Sequence, residues 1–107
     1  MAKFKIEFIS RAAAIEFSKL DRSSRLFVEK AFRKLEFRAD KIGKPLSNTP
    51  FGLLRGCKEI KFRRLGIRII FRIINGQAQI VQIVTINQRE NDKVFRIASE
   101  RLNKNPE

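Results

Sequence analysis

Histidine, tyrosine and tryptophan are absent from the 107 residues. Without histidine there is no Ser-His-Asp triad, no Cys-His dyad and no His-ligated metal site. The single cysteine, Cys57, cannot form an internal disulfide or build a zinc site from thiolates alone. One cysteine suits a reducing, cytoplasmic setting, and at a strand start it reads as an inert small hydrophobe. Long apolar runs are missing too. No stretch approaches the ~18 residues of a spanning helix. The longest uncharged stretch, Ile73 to Gln88, is interrupted by Asn75-Gly76 and several Gln. The opening residues, MAKFKIEF, lack the apolar core of a signal peptide. Acidic residues are scarce, with 11 Asp and Glu against 24 Lys and Arg, for a net charge of +13.

What is present points to one globular domain over residues 1–107. Hydrophobic residues make up 43% of the chain, enough for a core, and the 33% charged residues are not those of a disordered tail. Any catalysis must run on Lys, Arg, Glu or Asp. The charge calls for a polyanionic or acidic partner.

Phe4, Ile6 and Phe8 alternate with Lys3, Lys5 and Glu7, which predicts a half-buried strand. Ser10 can cap a short helix from Arg11 to Lys19, and Asp21 a longer one from Arg22 to Ile42. Val28, Phe32, Leu35, Ala39 and Ile42 form its apolar stripe, so the two helices should pair as a hairpin on the sheet. Gly43 and Pro45 end the second helix, and residues 44–56 read as a loop. Strand patterns follow from Cys57, with turns at Leu65-Gly66 and Asn75-Gly76, and a helix from Asp92 to Leu102 capped by Asn91 or Asp92. The sum is an α+β domain, β-α-α-β-β-β-α: an antiparallel sheet packed against a helical hairpin, plus a C-terminal helix, with the helices on one side. The ten Phe fall mostly on the apolar stripes and belong to the core.

Two-residue turns would set Arg63 opposite Arg68, Phe62 opposite Ile69, and Arg68 opposite Ile83. Ile60, Phe62, Ile67, Ile69 and Phe71 then share the core face, and Lys61, Arg63 and Arg68 the other. Like charges facing each other across a sheet are destabilising. Either the side chains fan into water, or they hold an anion, for which phosphate is the natural fit. Asn87, Gln88 and Arg89 end the central strand within reach of the same face. Phe95, one turn into the last helix, is a core side chain or a ring for stacking a base.

Lys61-Phe62-Arg63, then Gly66-Ile67-Arg68-Ile69-Ile70-Phe71, then Thr85-Ile86-Asn87-Gln88-Arg89-Glu90, then Val94-Phe95 form an ordered set. With Leu54-Arg55-Gly56 before them and Phe17-Ser18-Lys19-Leu20 in the first helix, the set resembles the RelE/ParE toxin superfamily across nearly the whole chain. The resemblance implies the toxin of a type II toxin–antitoxin pair. RelE-like members enter the ribosomal A site and cut mRNA by attack of a ribose 2′-OH on the adjacent phosphate, with no metal or other cofactor. It implies an antitoxin with an acidic segment as partner, together with ribosome and mRNA, and no membrane. Lys61 matches the second Lys of the family's Lys-x-Lys motif and is a candidate base. Arg68 matches a phosphate-binding Arg, and Arg89 an Arg that stabilises the phosphate or protonates the leaving group. Arg55, Lys58 and Arg63 would add RNA contacts, with Phe95 stacking on a base where ribosome-dependent members often carry Tyr. The first Lys of the motif is Glu59 here, which is either the base or a quencher of a cation. Two other readings stay open: a ParE-like gyrase inhibitor, and an inactive RNA- or ribosome-binding member of the same fold.

Overall fold

The computed structural model describes residues 2–46, 48–49, 52–54, 56–88 and 90–105. Strand β1 spans Lys5–Phe8 and leads into α1, Arg11–Ser18, and α2, Arg22–Arg38. Both helix starts follow local chemistry: Ser10 Oγ accepts from the Ala13 N–H at 3.3 Å, and Asp21 Oδ1 from the Ser24 N–H at 2.7 Å. Helix α2 stops four residues short of Ile42. Lys41 and Ile42 both donate their N–H to the Arg38 carbonyl, and Lys58 Nζ donates to the Ala39 carbonyl at 3.0 Å. Gly43 then turns the chain at φ +94°, and a Cβ there would lie 3.2 Å from the Phe71 ring.

The stretch read as a loop contains three two-residue strands. β2 (Lys44–Pro45) pairs with the edge of β5, while β3 (Asn48–Thr49) and β4 (Gly52–Leu53) pair with each other. The main strands are β5 (Cys57–Phe62), β6 (Ile67–Asn75) and β7 (Gln79–Gln88). The five-stranded sheet has the order β1-β7-β6-β5-β2, antiparallel except that β1 runs parallel to β7. Parallel pairing is possible because the helical hairpin follows β1 and carries the chain back. A 3₁₀ turn, Glu90–Asp92, precedes α3, Lys93–Lys104. Asp92 sits in the left-handed region at φ 57° and makes no side-chain cap.

Two apolar layers flank the sheet. The α1–α2 hairpin packs Val28, Leu35 and Ala39 onto Ile67, Ile69 and Phe71. Rings of Phe8, Phe17 and Phe32 meet at centroid distances of 5.4–6.0 Å and join β1, α1 and α2. Helix α3 lies on the opposite face, where Val94 and Ala98 meet Cys57, Ile70 and Val84. The helices therefore cover both faces rather than one, because Ile70 points away from its neighbours Ile69 and Phe71. Phe27 and Phe37 depart from the core pattern and lie half exposed on α2.

Candidate functional site: a row of polar side chains across the sheet

The two hairpins are looser than two-residue turns would make them. Residues 63–66 connect β5 to β6, so Lys61 faces Arg68 and Phe62 faces Ile67. The shift from the expected register is two residues, which keeps every side chain on its predicted face but leaves Arg63 in the turn. Residues 76–78 connect β6 to β7, and a bulge at Val84 adds one more residue. Arg68 therefore faces Asn87, not Ile83. Lys61, Arg68 and Asn87 form one row across three strands, on the face that α3 partly covers.

Placing Lys61 opposite Arg68 is unfavourable unless an anion lies between them. Glu59 supplies it from the diagonal position on β5. Its Oε1 accepts from Arg68 Nη1 at 2.9 Å and lies 3.6 Å from Lys61 Nζ. The three differ in solvent access: the side chains of Glu59, Arg68 and Lys61 are 3%, 10% and 31% exposed. Phe95 is half-buried against the α3 core cluster and packs its ring on Arg68, with Cζ 5.5 Å from the centroid. Lys61, Arg63, Gly66, Ile67 and Arg68 line a depression of about 280 Å³ at the end of the hairpin.

Lys58 points to the other face and caps α2 through Ala39, so the fold does not bring it to this cluster. Arg55 and Arg89 lie outside the described residues. Cys57 is buried, and burial pushes its thiol up from the usual range, which suits the inert hydrophobe expected of it.

The row continues into a second cluster that the sequence reading missed. Where β1 ends at Phe8, the outer edge of β7 beyond Ile83 loses its strand partner. Glu16 of α1 and Arg101 of α3 fill the gap. Arg101 Nη1 donates to the Val84 carbonyl at 2.9 Å, and Glu16 Oε1 accepts from the Ile86 N–H at 3.3 Å. The two side chains also form a double ion pair at 2.7 and 2.9 Å. Thr85 Oγ1 donates to Glu16 Oε1, and the Asn87 amide nitrogen donates to both Glu16 Oε2 and Thr85 Oγ1. Every buried side-chain nitrogen or oxygen among the described residues has a partner. A carboxylate on the otherwise apolar Ala12-Ala13-Ala14-Ile15 turn was the one local sign of this pairing.

Lysine and arginine charges held beside a depression on a sheet can bind phosphate and stabilise added charge on it. Among the described residues, no group of three or more Cys, Asp or Glu could hold a metal ion. No helix among them is long and apolar enough to cross a membrane.

No protein-family model matches the chain. A curated Escherichia coli protein described as a RelE-like toxin is 38% identical over 56 residues; the match covers 50% of this chain and 58% of that relative's length. Among solved structures, an arginine-substituted RelE toxin of E. coli in the free state superposes with a TM-score of 0.73 at 24% identity, covering 95% of this chain and 99% of that one. The RelBE toxin–antitoxin complex of Mycobacterium tuberculosis gives 0.63 at 24% identity, covering 85% and 97%. The chain thus has the fold of the RelE toxin structures, and a 56-residue segment of it is similar to a RelE-like toxin.

Proposed function

We propose that the protein is the toxin of a toxin–antitoxin pair and cleaves mRNA on the ribosome by metal-free attack of a 2′-OH on the adjacent phosphate. The observation that carries this reading is the Lys61–Arg63–Arg68 depression, which gathers cations from β5, β6 and the turn between them. A scissile phosphodiester seated there meets three positive groups. As the 2′-oxygen bonds to phosphorus and the bond from phosphorus to the 5′-oxygen breaks to release a 5′-OH, negative charge grows on the non-bridging oxygens, and Lys61 and Arg68 stabilise it. Lys61 is the more exposed of the paired cations, which supports a role for it in exchanging a proton with the attacking or leaving oxygen. Glu59 enters as the buried counter-ion that orders both cations, not as the base. Arg89 joins the proposal on the strength of the family resemblance alone. The antitoxin is expected to bring an acidic segment to the basic surface of a chain with net charge +13.

The test is induction of the wild type and of Lys61→Ala, Arg68→Ala and Arg89→Ala in a bacterium, with capture of mRNA 3′ ends at ribosomal A sites. Losing one charge-stabilising group should lower cleavage about 10²–10³-fold. Growth arrest by Lys61→Ala and Arg68→Ala as strong as that by wild type would remove this site from the mechanism. A DNA-damage response without new mRNA ends would replace the reading with gyrase inhibition.

A further inference from the structure

From the row Lys61–Arg68–Asn87 we infer that Asn87 is the residue that reads the ribose 2′-hydroxyl of a bound RNA, and that Glu16 and Arg101 hold it in the reading orientation. This inference rests on the proposed phosphate site at Lys61 and Arg68.

Asn87 stands directly opposite Arg68, one cross-strand step of about 5 Å away on the same face. A 2′-hydroxyl is two carbons removed from the oxygen that carries its 3′-phosphate. A phosphate held by Arg68 therefore brings that hydroxyl within one such step. Asn87 lines a second depression, of about 330 Å³, whose walls include Lys19, Gln88 and Lys93. It adjoins the first depression, since Ile67 lines both.

The orientation of the amide follows from its neighbours. Its nitrogen donates to Glu16 Oε2 and Thr85 Oγ1. The carbonyl oxygen, on the other branch of the amide, is thereby turned away from that carboxylate. An amide oxygen only accepts hydrogen bonds. It can take one from a 2′-hydroxyl and none from the 2′-CH₂ of DNA, which is the basis for telling the two apart. The lining carboxylate does not repel the RNA strongly, because Glu16 is already held by both Arg101 nitrogens, the Thr85 hydroxyl and the Ile86 N–H. Glu16 and Arg101 act through Asn87 and are positioning residues.

The experiment measures binding of an all-ribo trinucleotide and its all-2′-deoxy counterpart to the free protein at low salt, with RNA integrity checked after titration. The wild type should prefer the ribo form by roughly three- to tenfold, the strength of one ordinary hydrogen bond. Asn87→Ala should bring the ratio close to one while leaving the deoxy affinity unchanged, which also reports an intact fold. Glu16→Gln should lower the ratio in the same direction without weakening deoxy binding. Arg68→Ala should weaken binding of both oligonucleotides. An undiminished ribo preference in Asn87→Ala overturns the inference alone. Failure of the wild type to bind either oligonucleotide, or unchanged affinities in Arg68→Ala, overturns the phosphate site and the inference with it.

Discussion

Substituting Glu59 should reveal how strongly this sheet depends on one buried carboxylate. Glu59→Ala leaves Arg68, 10% exposed and covered by the Phe95 ring, without its counter-ion and still directly opposite Lys61. Removing one member of a buried pair costs about 3–5 kcal/mol. At about 4 °C per kcal/mol for a chain of this size, the melting temperature should fall by roughly 12–20 °C. Glu59→Gln keeps an acceptor but turns the ion pair into a hydrogen bond from the Arg68 cation to a neutral amide oxygen, a smaller loss of about 1–2 kcal/mol. Glu59→Met with Arg68→Met removes both charges, and the double variant should return close to wild-type stability. Lys61 is 31% exposed and 3.6 Å from the carboxylate, so its coupling to Glu59 should stay below about 1 kcal/mol. With no Trp or Tyr to report unfolding, urea melts followed by far-UV circular dichroism are the suitable assay. A Glu59→Ala variant within 1 kcal/mol of wild type would refute the reasoning. So would a Glu59–Arg68 coupling no larger than the Glu59–Lys61 coupling.

Arg101→Ala should cost about 3 kcal/mol in the same assay, near the lower limit for a buried pair because both partners keep some solvent exposure; hydrogen exchange should rise at the Ile86 N–H, which loses its ordered acceptor. Gly43→Ala should destabilise by about 1–2 kcal/mol, since φ is +94° and the new methyl meets Phe71; a neutral result in thermal melts would mean that the turn relaxes freely. The Asp21 carboxyl is held below its ordinary range, chiefly by its hydrogen bonds with Ser24. Its contribution is therefore present above the unfolded-state value near pH 4 and lost as pH falls through the folded value. Asp21→Asn, which still caps, should flatten that acid limb of stability and change little at neutral pH.

Much of the fold was legible because its causes are local. Ser10 and Asp21 announce helix starts by reaching three residues ahead along the chain. Alternation fixed which side chains of β5 and β6 face the hairpin. The face assignment survived an error in both turns, since displacements of two and four residues are even. The row itself was not legible. Where Arg68 sits depends on turns of four and three residues and on the bulge at Val84, and backbone pairing across strands sets these, not composition. The end of α2 was misplaced for a similar reason: Lys58, nineteen residues on, caps it.

By itself, the sequence determined the excluded chemistry, the positive charge, the helix starts, the in–out pattern of the strands and the residue set that resembles the RelE/ParE superfamily. Each of these lies in residue type or in spacings of a few positions. Only the tertiary structure decided that Glu59 sits between Lys61 and Arg68, that α3 covers the other face, and that Glu16 meets Arg101 across 85 positions of chain. Those outcomes arise because the free edge of β7 and the buried guanidinium of Arg68 both need partners. The chain supplies them from whichever distant elements packing brings near.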